Sequence, residues 1–388
     1  MKIKVKTILP SVVFFYPSIY LLCCMLGIES ILSRLMWLSS MAILALDTLK
    51  RKRDARQSRI ILVYLLILAL VNTILFGYAY VFHIDCYGYM LLLSIFADYS
   101  KEERLGNLKE VEIKHNNGLK LLLSFYSLLF ISVVFFDGAR MGSVWGLSFP
   151  VLYGPYSVSH NLAYQLIIMY VVASLYFRRS KKGIYLFFMV TSVLCCIWTA
   201  ARSGLLALAL IILTDYFSVR KVSVKALIAG IGLLVLLYMG LFTDLLTNNP
   251  IVQKTIISAE SGSISNGREL FSAYVMNHYL NSTTLKQKIF GISVYSIRSL
   301  MKSRWFVDIH AHNDFVNVLV GFGIYGLVGY IYSLLKLVKH TPKKLLLLTV
   351  LVLLSWYNGL YMYVSFVPAI PVLMIFYREI LNGDKTYD

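Results

Sequence analysis

Leucine, isoleucine, valine and phenylalanine recur in long runs between Thr7 and Tyr377, most of them close to the ~20 residues that cross a ~30 Å hydrocarbon layer as a helix. Lipid offers no partner to an exposed peptide group, so such runs must close their hydrogen bonds internally. The ten-residue alternation of a membrane barrel is absent. The pattern predicts helices over 7–28, 30–49, 60–82, 84–99, 119–136, 159–177, 184–200, 203–219, 226–243, 312–335, 344–358 and 361–377. The run 84–99 is short enough to be re-entrant, and Pro368 and Pro371 are placed to bend the last helix. The expected fold class is all-α: a polytopic integral membrane protein, a single domain over 1–388 with about twelve transmembrane helices. The longest polar interval, 244–311, is expected to be a large extracytoplasmic loop containing short helices.

Composition strengthens this picture. The chain is 59% hydrophobic and 14% charged, against roughly 45–50% and about 25% in soluble domains. The first run follows Lys2, Lys4 and Lys6 but is too long for a signal-peptide core and lacks a small-x-small cleavage site, so it reads as a retained helix. A net charge of +18 suggests nucleic acid until its distribution is considered. Most of the 37 Lys and Arg sit in clusters at 2–6, 50–59, 101–120, 178–182, 220–225, 336–344 and 378–385, between apolar runs. That is the positive-inside pattern, with both termini cytoplasmic and no nucleic-acid partner. The mixed charges of 101–117 read as a solvated cytoplasmic loop. Cys23, Cys24, Cys86, Cys195 and Cys196 lie in or beside apolar runs and show no metal or disulfide spacing.

The basic residues left for the outer side are Arg34, Arg140, Arg202 and those of the large loop. An Arg in or near lipid costs at least ~2.5–3.5 kcal/mol at mid-depth and tends to have a partner or a task. Arg202, in Trp198-Thr199-Ala200-Ala201-Arg202-Ser203-Gly204, fits either a snorkelling Arg at a tight helix turn or an anion clamp at headgroup depth. Arg268 follows Asn266-Gly267, and Asn266 with Glu269 has the form of a capping box; its helix start suits a phosphate or is an ordinary surface helix. His312, in His310-Ala311-His312-Asn313-Asp314, is either a general base or an interfacial cap. A metal site from His310, His312 and Asp308 or Asp314 lacks a remote ligand, so no metal and no cofactor is expected.

These residues together resemble the O-antigen ligase and polymerase superfamily, of the Wzy and WaaL type. The resemblance rests on Thr199 to Gly204, on Gly267-Arg268, and on His312-Asn313 followed by Gly321, Gly323, Gly326 and Gly329. It extends to Arg140-Met141-Gly142, Gly154 and His160-Asn161-Leu162-Ala163, so that it covers roughly 119 to 335. The chain has His160 where the family usually has Pro, and Ala201 where it often has Ser. The resemblance implies a metal-independent, inverting glycosyltransferase on the outer face of the bacterial plasma membrane. Its substrate would be an oligosaccharide linked to undecaprenyl diphosphate, with a chain-length regulator as a further candidate partner. Arg202 and Arg268 would stabilise the diphosphate and His312 would act as base. Arg140, Asn161, His310, Asn313 and Arg304 would bind substrate. The expected activity is polymerisation of repeat units, with ligation to lipid A-core as the alternative. A transporter or flippase is the rival from another class; Asp47, Asp98, Asp137 and Asp215 lie near helix ends and no paired interrupted helices are apparent, which argues against it.

Overall fold

A computed structural model describes residues 5–49, 55–114, 117–144, 147–219, 256, 268–306, 308–339, 341 and 344–382. In chain order these form α1 (Val5–Phe14), α2 (Tyr16–Met25), α3 (Glu29–Leu49), α4 (Ala55–Phe76), α5 (Tyr78–Val81), α6 (Ile84–Tyr99), α7 (Glu102–Lys114), α8 (Asn117–Phe135), β1 (Ala139–Val144), β2 (Leu147–Leu152), α9 (Ser159–Ser180), α10 (Gly183–Trp198) and α11 (Arg202–Val219). After the undescribed interval come α12 (Arg268–Ser282), α13 (Leu285–Phe290), α14 (Val294–Trp305), α15 (Asp314–Leu337), α16 (Lys344–Tyr357), a short 3-10 turn (Val367–Ala369) and α17 (Ile370–Asn382). The predicted helix 226–243 lies outside the described residues.

The protein is mostly helical, and five of its described helices, 29–49, 58–76, 117–135, 159–180 and 314–337, are long and apolar enough to cross a membrane. Shorter apolar helices accompany them. Exposure follows the helical repeat: Ile60, Val63, Ile67, Leu70 and Ile74 form one bare apolar stripe along α4. Such a stripe is costly in water and suited to lipid. Polar side chains inside the apolar helices bond back to their own helix, as Asn72 Nδ2 does to the Leu68 carbonyl and Ser355 Oγ to that of Leu351.

The chain divides into two compact units: residues 1–128 with 267–375, and residues 129–266 with 376–388. In the first, α6 is the centre, with fourteen of its residues buried from Asp85 to Tyr99. It packs against α3, α4 and α15. In the second, α9 is buried along most of its length and packs against α10 and α11.

Four sequence expectations need correction. The first run is two helices rather than one, because Pro17 lacks an N–H and its ring opposes the carbonyl four residues back; it opens α2 instead, after a break at Phe15. The expected loop 101–117 contains α7, whose Glu102 and Glu103 sit at the favourable end of the helix dipole. Leu105 and Leu108 are buried on one side of it, and Arg104 reaches Asp47 and Asp98, each at 3.2 Å. The all-α expectation misses an antiparallel hairpin after α8, with Arg140 opposite Val151 and Gly142 opposite Phe149. Finally, 358–366 is not helical, and Pro368 and Pro371 stand at the start of the 3-10 turn and of α17 rather than bending a helix.

The cause of the last departure is Asp314. Its buried carboxylate accepts from the backbone N–H of Leu360 at 2.5 Å and of Tyr361 at 3.4 Å, and from Tyr330 Oη at 2.7 Å. Gly359 permits the wrap, at φ +101° and with Asp314 where a Cβ would stand. A second interruption lies within α15 at Gly323 (φ 71°, ψ −171°). The carbonyls of Val320 and Gly321 accept instead from the N–H groups of Ile292 at 2.9 Å and Ser293 at 3.1 Å. Non-helical backbone at membrane depth is tolerated where protein satisfies it in this way.

Candidate functional site

The site is built on the segment His310 to Asn313, which residues of α12, α14 and α15 help to hold. Ser272 Oγ of α12 donates to the Ala311 carbonyl at 2.7 Å, and Asn317 Oδ1 of α15 accepts from the Ala311 N–H at 3.1 Å. Asn313 is the N-cap of α15, its Oδ1 accepting from the Val316 N–H at 3.2 Å. Between these anchors His312 takes φ 53°, a left-handed backbone that a non-glycine residue adopts only when its surroundings enforce it.

That backbone turns the His312 ring toward Asn358, with Nδ1 3.3 Å from Oδ1. Asn358 Nδ2 donates to Tyr363 Oη at 2.6 Å, so the amide oxygen is the end presented to the imidazole. An amide oxygen only accepts. With the amide so oriented, a neutral His312 ring donates from Nδ1 and keeps its basic lone pair on Nε2, the arrangement a general base requires. Arg268, the first residue of α12, donates from Nη1 to the Tyr357 carbonyl at 2.8 Å. Two of the three predicted catalytic residues are thus fastened to adjacent residues at the end of α16. Its proposed cap partner Asn266 lies outside the described residues.

His310 has a different environment. Its Nε2 is 2.7 Å from Arg298 Nη2 and 3.7 Å from Asp85 Oδ1. Arg298 bonds Asp85 Oδ1 at 3.1 Å and approaches Asp308 at 3.8 Å. Burial pushes the His310 imidazole down to about 4; Asp85 opposes this and Arg298 adds to it. The ring is neutral near pH 7, accepts from Arg298 at Nε2 and holds its proton on a buried Nδ1. Arg304, in the last turn of α14, is exposed. Trp305 beside it packs edgewise on Phe271 and Tyr274, at 5.1 and 4.9 Å between ring centres. Phe271 also lies 6.4 Å from the His312 ring.

Compared with known proteins, the chain matches no family model and no curated protein.

The remaining predicted residues belong to the second unit. Arg202 opens α11 after the turn Thr199–Ala201, where Ala200 takes φ 52° and Thr199 Oγ1 accepts from the Ala201 N–H at 3.3 Å. Gly204 lets α11 approach Ala163 of α9, where any larger residue would collide. Arg202 is half-buried. Arg140, on β1, donates to the carbonyls of Tyr156 at 2.9 Å and Ser157 at 3.4 Å while its guanidinium lies 4.2 Å over the Tyr153 ring. It braces the entry to α9, whose third residue is Asn161.

Sequence reasoning missed Asp85 and Asn358, saw Arg298 only as a member of the polar interval, and weighed Asp308 only as a metal ligand. An acid at the first turn of an apolar run, preceded by His83, was the signal for Asp85. Asn358 carried none. The metal alternative does not assemble: His310 faces Arg298, His312 faces Asn358 and Asp314 faces Tyr330. Among the described residues no group of three or more His, Cys, Asp and Glu side chains is placed to hold a metal ion.

Proposed function

We propose that the protein is a membrane-embedded glycosyltransferase that polymerises oligosaccharide repeat units carried on undecaprenyl diphosphate, at the extracytoplasmic face of a bacterial plasma membrane. The acceptor hydroxyl attacks the anomeric carbon of the donor glycan. The new carbon–oxygen bond forms as the bond to the diphosphate breaks, and the lipid diphosphate leaves with the electron pair. The hydroxyl proton passes to His312 Nε2. Arg268 and Arg202 neutralise the departing diphosphate, a stabilisation that grows as charge develops. Attack opposite the leaving group inverts the anomeric configuration.

The observation that carries this reading is the anchoring of Arg268 and His312 on the consecutive residues Tyr357 and Asn358, with Asn358 Oδ1 beside His312 Nδ1. It supports assigning Arg268 to the diphosphate and His312 to the acceptor proton. Transport is the weaker reading, because in the interrupted helix α15 the carbonyls of Val320 and Gly321 are already occupied by Ile292 and Ser293 and so are not open ligands for an ion.

The test is expression of Arg202→Ala, Arg268→Ala and His312→Ala in the native host, followed by separation of surface and lipid-linked glycans by length. Loss of the length ladder with single repeats still attached to the surface supports polymerisation. Long lipid-linked chains left unattached would assign the protein to ligation instead, and an unchanged ladder in all three would overturn the proposal.

A further inference from the structure

A groove of about 530 Å³ lies within the first unit, lined in part by α12 and α14, the helices that also carry Arg268 and Arg298. Its walls are the α12 residues His278 and Ser282, Thr283 just beyond them, and Ser296, Ser299 and Ser303 of α14. The three α14 serines recur at intervals of three and four, so they share one helical face. Among the described residues, the side chains of His278, Ser282, Ser296 and Ser299 make no hydrogen bond, and Ser303 uses its hydroxyl proton on the Leu300 carbonyl while its oxygen can still accept.

The chemistry of this lining selects a ligand class. Among the described residues no Asp, Glu, Lys or Arg lines the groove, so these residues match neither a phosphate nor a cation. Hydroxyls and an imidazole offer mixed donors and acceptors, as a ligand rich in hydroxyl groups demands. Phe76, Ile292 and Leu300 add apolar patches of the size that suits the C–H faces of pyranose rings. The volume falls within the ~300–1,000 Å³ of small-ligand clefts. Position agrees with chemistry: Phe76 is the last residue of a helix long and apolar enough to cross a membrane, so the groove opens where that helix ends.

We infer that this groove is a saccharide subsite that binds uncharged sugar residues of the glycan, away from the diphosphate. The inference rests on the glycosyl-transfer reading for its ligand, and deepens it by naming where the chain lies. The groove shares α12 with Arg268, and α14 lines it from Ser296 to Ser303. A glycan bound there is held by residues that take no part in bond breaking.

The test uses the full-length protein in lipid nanodiscs and, as probe, oligosaccharides released by mild acid from the host's own lipid-linked glycans. Binding is read by saturation-transfer NMR and titration. Wild type is expected to bind, Ser299→Trp to weaken binding at least tenfold by filling the groove, and His278→Ala to weaken it several-fold. Lys302→Ala, an exposed change on α14 outside the lining, should leave it unchanged. His312→Ala should bind like wild type while making no polymer, which separates this inference from the reaction. Absence of binding to wild type, or equal binding by Ser299→Trp and His278→Ala, overturns the subsite. A wild-type protein that binds the oligosaccharides but elongates nothing, with binding lost in Ser299→Trp, would uphold the subsite and overturn only the polymerase reading.

Discussion

Arg268 and His312 are tied to consecutive residues: Arg268 Nη1 donates to the Tyr357 carbonyl at 2.8 Å, and His312 Nδ1 lies 3.3 Å from Asn358 Oδ1. The end of α16 therefore sets the position of the Arg268 guanidinium and places an amide beside His312 Nδ1. On the proposed reaction Asn358 would act through His312, because an imidazole with its proton on the wrong nitrogen cannot accept one from an acceptor hydroxyl.

Asn358→Leu should lower kcat about a hundredfold, the smaller end of the ~10²–10⁴ attributed to a positioned acid or base. KM should change little. Asn358→Asp keeps an acceptor for Nδ1–H and should restore most of the activity, with the acid limb of the pH–rate profile displaced upward by the more basic imidazole. Rate profiles of the two variants against wild type check both expectations.

The pair Asp85 and Arg298 is expected to be costly to halve. Asp85 is fully buried, and Arg298→Met would leave its carboxylate without the guanidinium. A loss of about 3 kcal/mol follows from breaking a buried pair on one side. The double change Asp85→Asn with Arg298→Met should recover part of it. Thermal unfolding in detergent of the two singles and the double measures the coupling.

Acid should weaken the protein through His310. The group titrates near 6.5 when unfolded and near 4 in place, so it binds more protons unfolded throughout that window. Its contribution is fully present above about pH 6.5 and is lost as pH falls toward 4, amounting to roughly 3 kcal/mol. Unfolding temperatures between pH 7.5 and 4.5 should fall, and His310→Gln, which keeps an acceptor for Arg298 but no titrating ring, should fall less steeply.

Gly323→Ala should unfold the junction of α13 and α15. The new Cβ would stand on the Ile289 carbonyl, and φ 71° is strained for any side chain. A loss of several kcal/mol is expected, read as a lower unfolding temperature and faster exchange of the Ile292 and Ser293 amides.

Much of this arrangement was legible in the sequence, but unevenly. Runs such as 30–49 and 159–177 announced their helices because a membrane span needs a length and an apolar composition that little else imitates. Breaks inside such runs were less visible. Pro17 was readable in principle, whereas the irregular backbone at 358–366 depends on a carboxylate far away in sequence at 314. The hairpin at 139–152 escaped because its strands are short and its faces do not alternate cleanly in polarity. Within the site, His312 and Arg268 stood out because polar residues are rare in this chain. Asn358 did not, since an asparagine at a helix end more often serves as a cap.

The most direct measurement of the central claim is elongation by purified protein in proteoliposomes supplied only with undecaprenyl-diphosphate-linked repeat units. Wild type should convert them to a ladder of longer lipid-linked chains, releasing one undecaprenyl diphosphate per added repeat, while correctly inserted His312→Ala leaves single repeats. A His312→Ala protein that builds the same ladder at the wild-type rate would contradict the account.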